Sequence, residues 1–150
     1  MAARAHFQTI DLSAVVADVA DAFRPSIESS GHQLLTSIAP GLTMHGDRRL
    51  LQQMLTNLLD NAAQHTPQGT TIHIVLANAH HGISLAVTDN GPGVSENEAP
   101  ELFNRFARVD RSRSTPGHGL GLAMVAAIVA AHSGKATIAP RPGFGVHIEL

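Results

Sequence analysis

The chain has 150 residues, 43% hydrophobic and 15% charged, which suits one globular domain with a sizeable core, and no stretch of it approaches the roughly 20 uninterrupted apolar residues of a membrane span. A formal net charge of −2 excludes a whole-surface field for nucleic acid or anionic lipid, and the lack of cysteine excludes disulfides and thiolate metal sites. The first ten residues show no basic start followed by an apolar run, so nothing in them points to export.

Residues 6–10 read as a short strand. Asp11 or Ser13 can then cap a helix in which Leu12, Val15, Val16, Val19 and Phe23 recur with a 3.6-residue period and bury one face. Pro25 is expected to kink or end it, with helical residues able to resume near Ile27 before Gly31. Strands follow at 32–38 and 42–45, joined by a Pro40-Gly41 turn. Gly46-Asp47 introduces a helix over 48–65, closed by the breaker Thr66-Pro67-Gln68-Gly69. Residues 71–77 and 83–89 are strand-like, and 78–82 suits a hairpin.

Residues 90–119 form the longest stretch without strong periodicity, interrupted by a predicted short helix at 99–107, and loops this long in compact domains are usually functional. A helix over 120–132, apolar around most of its circumference, ends at Ser133-Gly134 and leads to strands at 135–139 and 145–150. About three helices and five to seven strands predict an α+β fold: a two-layer sandwich of a mixed sheet, five-stranded or larger, with the helices on one face.

Three segments carry chemistry. On the helix over 48–65, Leu51, Leu55, Leu58 and Ala62 form the core stripe, and Asn57 and Asn61 sit one turn apart at its margin, with Gln64 continuing their row. Asparagine is a mediocre helix former, so two near a buried edge need polar partners: a neighbouring loop, water, or a hard cation ligated through the amide oxygen. Asp89-Asn90-Gly91-Pro92-Gly93 follows a strand end, where a carboxylate and close-approaching backbone can form a pocket floor that reads an exocyclic amine such as adenine's; Asp-Asn-Gly is also an ordinary turn sequence. Gly117-His118-Gly119-Leu120-Gly121 opens the apolar helix, where exposed N–H groups and the helix dipole suit phosphate. Neither a dinucleotide fingerprint nor a P-loop is present. Nine of the ten basic residues are arginine, and Arg105, Arg108, Arg111 and Arg113 cluster within nine positions, as a phosphate-binding group or a solvated loop would. The ten histidines show no metal-ligand spacing, and His80-His81 is expected to face solvent.

In order and spacing these segments resemble the catalytic ATP-binding domain of bacterial sensor histidine kinases, within the superfamily of gyrase-type, chaperone and mismatch-repair ATPases (the Bergerat fold). The matching stretches are Asn57-Leu58-Leu59-Asp60-Asn61-Ala62-Ala63, the glycine box at 89–93, Leu102-Phe103-Asn104-Arg105-Phe106, and the second glycine box at 117–121. The resemblance runs over about residues 7–150 and implies one catalytic domain over 1–150, using ATP and Mg2+.

By resemblance, Asp89 bonds the adenine amine beside Gly91 and Gly93, and Asn61 ligates magnesium with Asn57 nearby. Gly117, His118, Gly119, Leu120 and Gly121 line the phosphates, and residues 95–116 form a mobile ATP lid docked by Phe103 and Phe106, with Arg105 reaching a phosphate. Gln64 stands where many such kinases have lysine or arginine, so neutralisation falls to Arg105, His65 or the lid arginines; Gly145-Val146-His147-Ile148 lacks the hydroxyl of the usual Gly-Thr-x-Phe stretch.

Asn57 stands where the hydrolases of the superfamily carry glutamate, and an amide cannot act as general base at neutral pH, which favours transfer over hydrolysis. The resemblance implies ATP or ADP, a phosphoacceptor histidine on a separate dimerising helix pair, and a response regulator as partners, in two-component signal transduction. No histidine followed by Glu/Asp-Leu-Arg-x-Pro occurs, so those helices are expected outside this chain, which alone should not phosphorylate itself efficiently. A cytoplasmic domain of a parent anchored in the inner membrane is expected, with no nucleic-acid or direct membrane contact by the domain. A non-catalytic nucleotide-binding module, or a serine kinase or ATPase of the same superfamily, is the alternative.

Overall fold

The structure is a computed structural model that describes residues 6–93, 118–139 and 143–150. Its elements in chain order are β1 (Gln8–Asp11), α1 (Leu12–Ser29), β2 (Gln33–Ile38), β3 (Thr43–Gly46), α2 (Arg48–Gln64), β4 (Thr71–Ala79), β5 (Gly82–Asp89), α3 (His118–Ala131), β6 (Lys135–Ala139) and β7 (Gly145–Glu149). β1 and β3 make a small antiparallel pair, and the other five strands form a mixed sheet in the order β2-β4-β5-β7-β6, parallel only between β2 and β4. The α+β reading holds.

The sheet alternates. Ile72, Ile74 and Leu76 of β4 and Ile83, Leu85 and Val87 of β5 are buried, as are Ile138, Val146 and Ile148 on the outer strands. They meet Leu12, Val15, Val16 and Val19 of α1, Leu51, Met54, Leu55, Leu58 and Leu59 of α2, and Leu122, Val125, Ile128 and Val129 of α3 in one core. α2 lies centrally, packed against both other helices and against β4 and β5. Burying a side chain of this kind is worth about 1.5–3 kcal/mol, so α2 is fixed by packing more than by intrinsic helix preference.

Local chemistry sets the boundaries. Asp11 is the N-cap of α1, its Oδ1 accepting from Ala14 N at 3.0 Å. Ser13, the other capping candidate, is buried instead: its hydroxyl donates to Ala39 O at 2.6 Å and accepts from Leu42 N at 2.9 Å, tying the β2–β3 turn to the helix start. Pro25 neither ends nor divides α1, which runs to Ser29. The acceptor Pro25 leaves without its helical N–H, the carbonyl of Asp21, lies on an exposed stretch where water can serve it.

β1 begins two residues later than the predicted strand, and the β4–β5 hairpin closes through a two-residue turn, His80 and His81, both exposed, so the strands are longer than their sequence suggests. At the edge of the sheet, Arg24 Nη1 donates to Leu34 O of β2. α3 starts at His118 rather than 120, and past its end Ser133, not Gly134, takes the left-handed conformation (φ 59°). Gly134 is required for space, because a Cβ there would stand 2.4 Å from Glu149 O.

Candidate functional site

The site is built where the C-terminal turn of α2 meets the loop leaving β5. Asp47 caps the start of α2 by accepting from Arg49 N at 3.0 Å, and the leucine stripe fixes its rotation. That rotation turns Asn61 inward, only 8% exposed, and leaves Asn57 half-buried. Asn61 Oδ1 is buried and has no hydrogen-bond partner among the described residues. An unpaired buried acceptor costs about 1–3 kcal/mol, so this oxygen is a candidate for an external donor or cation.

Asp89 ends β5, and its carboxylate is divided. Oδ1 accepts from Gly91 N at 2.8 Å and from Phe144 N at 3.3 Å, while Asp89 N donates to Phe144 O at 2.9 Å. Oδ2 has no such commitment among the described residues. Gly91 fits because a Cβ there would sit 3.1 Å from Asp89 Oδ1 and 3.3 Å from Thr66 Cγ2, and Gly93 adopts φ 73°, which disfavours any side chain. Asn90 closes the loop onto β4, its Oδ1 accepting from Thr71 N at 2.8 Å.

Gln64 is exposed at the end of α2, and the C-cap His65 is largely exposed as a residue while its imidazole is partly shielded from water. Gln64 Nε2 donates to Asp60 Oδ2 at 3.1 Å, so the side chain that stands in the usual basic position is paired with an acid. Partial burial lowers the His65 pKa below its ordinary 6.5, with the Asp60 carboxylate pulling more weakly in the opposite direction. His118, Gly119, Leu120 and Gly121 lie in the first turn of α3, which packs against α2, so the second glycine box opens that helix as expected. Phe103, Arg105, Gly117, the predicted helix at 99–107 and the lid at 95–116 lie outside the described residues.

Three contributors are not evident in the sequence. Gly143 presses on the backbone of Asp89: a Cβ there would fall 1.8 Å from Asp89 O. Phe144 supplies main-chain groups to Asp89 that no side-chain pattern announces. Thr66, which reads only as part of a breaker, packs on Gly91, and the buried His32 bonds to it from the other side.

A family model described as histidine kinase-, DNA gyrase B-, and HSP90-like ATPase matches residues 46–150, which include α2, the Asp89 loop and α3. The chain belongs to this family. Over 143 residues it is 36% identical to the signal transduction histidine-protein kinase BaeS of Escherichia coli (strain K12), covering 94% of this chain and 31% of BaeS. Against the probable sensor histidine kinase TcrY of Mycobacterium tuberculosis (strain ATCC 25618 / H37Rv) the figures are 40% over 139 residues, 90% of this chain and 29% of TcrY. The solved structure of the mycobacterial sensor histidine kinase MprB superposes with a TM-score of 0.76 at 31% identity, covering 96% of each chain. The chain therefore corresponds to under a third of the length of BaeS and TcrY. Membership in this ATPase family makes ATP the nucleotide for which the fold is built, and no helix among the described residues is long and apolar enough to cross a membrane.

Proposed function

We propose that this chain is the Mg-ATP-holding catalytic domain of a sensor histidine kinase and that it donates the γ-phosphoryl group to a histidine on a separate dimerising helix pair. The observation that carries the reading is the division of the Asp89 carboxylate: Oδ1 is locked by two backbone N–H groups and Oδ2 is left for a ligand. A carboxylate oxygen held in this way is a fixed acceptor for the exocyclic amine of adenine, and a charge-assisted bond of this type is roughly twice as strong as a neutral one. Gly91 and Gly93 let the base approach the backbone, and the opening turn of α3, with Gly117 before it, offers N–H groups to the phosphates.

The residues fit magnesium. Asn61 Oδ1 is a hard neutral oxygen, buried and without a partner among the described residues, and magnesium takes few protein ligands when phosphates and water complete its octahedron. Asn61 would hold the ion with Asn57 one turn away, and the bound ion would supply charge neutralisation between phosphate oxygens. Neither amide can take a proton at neutral pH, so Asn57 orients polar groups without activating water. Phosphoryl transfer needs chiefly positioning and charge stabilisation, and an incoming imidazole attacks through a ring nitrogen that is already neutral. With Gln64 paired to Asp60, His65 and Arg105 are the remaining candidates for phosphate contact. The names of BaeS, TcrY and MprB support the kinase reading; a response regulator as the eventual acceptor and a cytoplasmic setting in a parent held at the inner membrane belong to the same proposal.

The test supplies a phosphoacceptor helix domain and γ-labelled ATP to the chain. Acid-labile phosphohistidine on the acceptor is the expected product. Steady phosphate release without an acceptor would support a hydrolase, and nucleotide binding with no transfer under any pairing would support a binding module.

A further inference from the structure

We propose that His32, on the far side of the α2 terminus from the ligand, is a positioning residue for the nucleotide site, acting through Thr66 on both Asn61 and the Asp89 loop. This rests on the nucleotide reading of Asp89 and goes beyond it, because His32 touches none of the ligand-facing groups.

His32 is 7% exposed, and its Nε2 lies 2.8 Å from Thr66 Oγ1 and 3.1 Å from Thr66 O. The protons can be assigned by elimination. Thr66 Oγ1 spends its only hydrogen on Ala62 O at 2.7 Å, so toward His32 it can only accept, as can the carbonyl beside it. Nε2 is therefore the donor to both. On the other side of the ring, Ser30 Oγ stands 2.9 Å from Nδ1 and 2.7 Å from Ile27 O with one hydrogen shared between these two acceptors, so the ring is held from just past the end of α1.

These bonds fix the Thr66 rotamer. Its hydroxyl closes the last turn of α2 onto Ala62 O, next to the Asn61 carbonyl that accepts from His65 N at 3.1 Å. Its methyl group faces Gly91, where even an added Cβ would be tight at 3.3 Å, and Gly91 N is the 2.8 Å donor that locks Asp89 Oδ1. A shift of Thr66 thus displaces the turn that carries Asn61 and removes the support behind Gly91. Two backbone bonds join the same segments without this side chain: Gly69 N donates to Gly31 O at 2.8 Å and Gln33 N to Thr70 O at 3.0 Å.

Four variants of the full chain, titrated calorimetrically with Mg-ADP below their melting temperatures, test the proposal. His32→Leu removes the donor; Thr66→Val keeps the shape and removes the acceptor hydroxyl; His32→Gln keeps an N–H at the reach of Nε2; Asp89→Asn reports on the nucleotide reading. The expected result is that His32→Leu and Thr66→Val each weaken Mg-ADP binding by about 5- to 20-fold while His32→Gln stays within about 2-fold. That rescue is what a purely structural role, visible in melting temperature alone, would not produce. Undiminished affinity in His32→Leu beside a loss in Asp89→Asn overturns the positioning role and leaves the nucleotide reading standing. Equal losses in His32→Gln and His32→Leu overturn it as well, since shape and not the bond would then matter. Should His32→Leu fail to fold, Thr66→Val decides. Undiminished affinity in Asp89→Asn removes the nucleotide reading and this inference together.

Discussion

Replacing Asp89 with asparagine changes one atom, and the surrounding backbone dictates what that change does. An asparagine can keep its Oδ1 as acceptor for Gly91 N and Phe144 N, which places the Nδ2 amide where Oδ2 had been. The flipped orientation would point the amide hydrogens at those two half-buried N–H groups and leave both unpaired, at about 1 kcal/mol for each. The substituted side chain is thus held with a donor facing the adenine amine, itself a donor. Losing a hydrogen bond to a charged partner costs about 1.5–3 kcal/mol, equivalent to roughly a 10- to 150-fold rise in Kd, and the opposed donors push the result toward the upper end. The fold should survive with at most about 1 kcal/mol of lost stability, because both backbone bonds remain with a neutral acceptor. Calorimetry with Mg-ADP, checked by circular dichroism, measures both effects. The reasoning is falsified if the folded variant binds within about 2-fold of the parent chain.

Asn61→Ala should weaken Mg-ATP by about 10-fold while altering metal-free nucleotide far less; because Asn61 Oδ1 has no partner among the described residues, relief of its desolvation offsets the lost packing, thermal stability should change by under about 1 kcal/mol, and a large drop would show a structural role instead. The Cβ of Gly143→Ala would overlap Asp89 O and force the backbone apart, so it should cost about 1–3 kcal/mol and several degrees in melting temperature, with nucleotide affinity falling too; unchanged melting would contradict the packing described. His65, with its folded pKa lowered, favours the neutral form, so the unfolded chain binds more protons and His65 costs stability as pH falls through 6.5 toward the lowered value, with no contribution above. Bound phosphates reverse that preference, so ATP affinity should rise between about pH 8 and about pH 6 with measurable proton uptake. His65→Gln should abolish the uptake, and its persistence would assign it elsewhere.

The placement of the candidate residues is legible wherever it is local in sequence. Asn57 and Asn61 declare themselves by their spacing on an amphipathic stretch, and Asp89 by the glycines that follow it. The helices and strands came through in order because one-sided burial leaves a period in the chain, as in Leu12, Val15, Val16 and Val19. What did not come through depends on distant chain segments. The neighbours of β2 and β7 cannot be chosen by periodicity, which gives every strand the same two faces. Gly134 marks the end of α3 in sequence, yet Ser133 carries the left-handed turn, and Gly134 is needed because Glu149 O claims the space beside it. The requirement at Gly143 comes from Asp89 O across the sheet, and Thr66 acquires its meaning only when β2 begins with His32 beside it.

The contact of Arg24 with the β2 carbonyl bears on how the molecule behaves in a crowded solution. β2 is an outer strand, and Leu35 beside the capped residue is 48% exposed, so an apolar side chain and outward-facing main-chain groups lie together on one rim. Such a rim is a template on which a second chain can add a strand. A guanidinium already seated on Leu34 O takes one of the acceptors that an incoming strand would need and sets a positive charge at the point of approach. A side chain on the outside of α1 thereby guards the sheet against self-association.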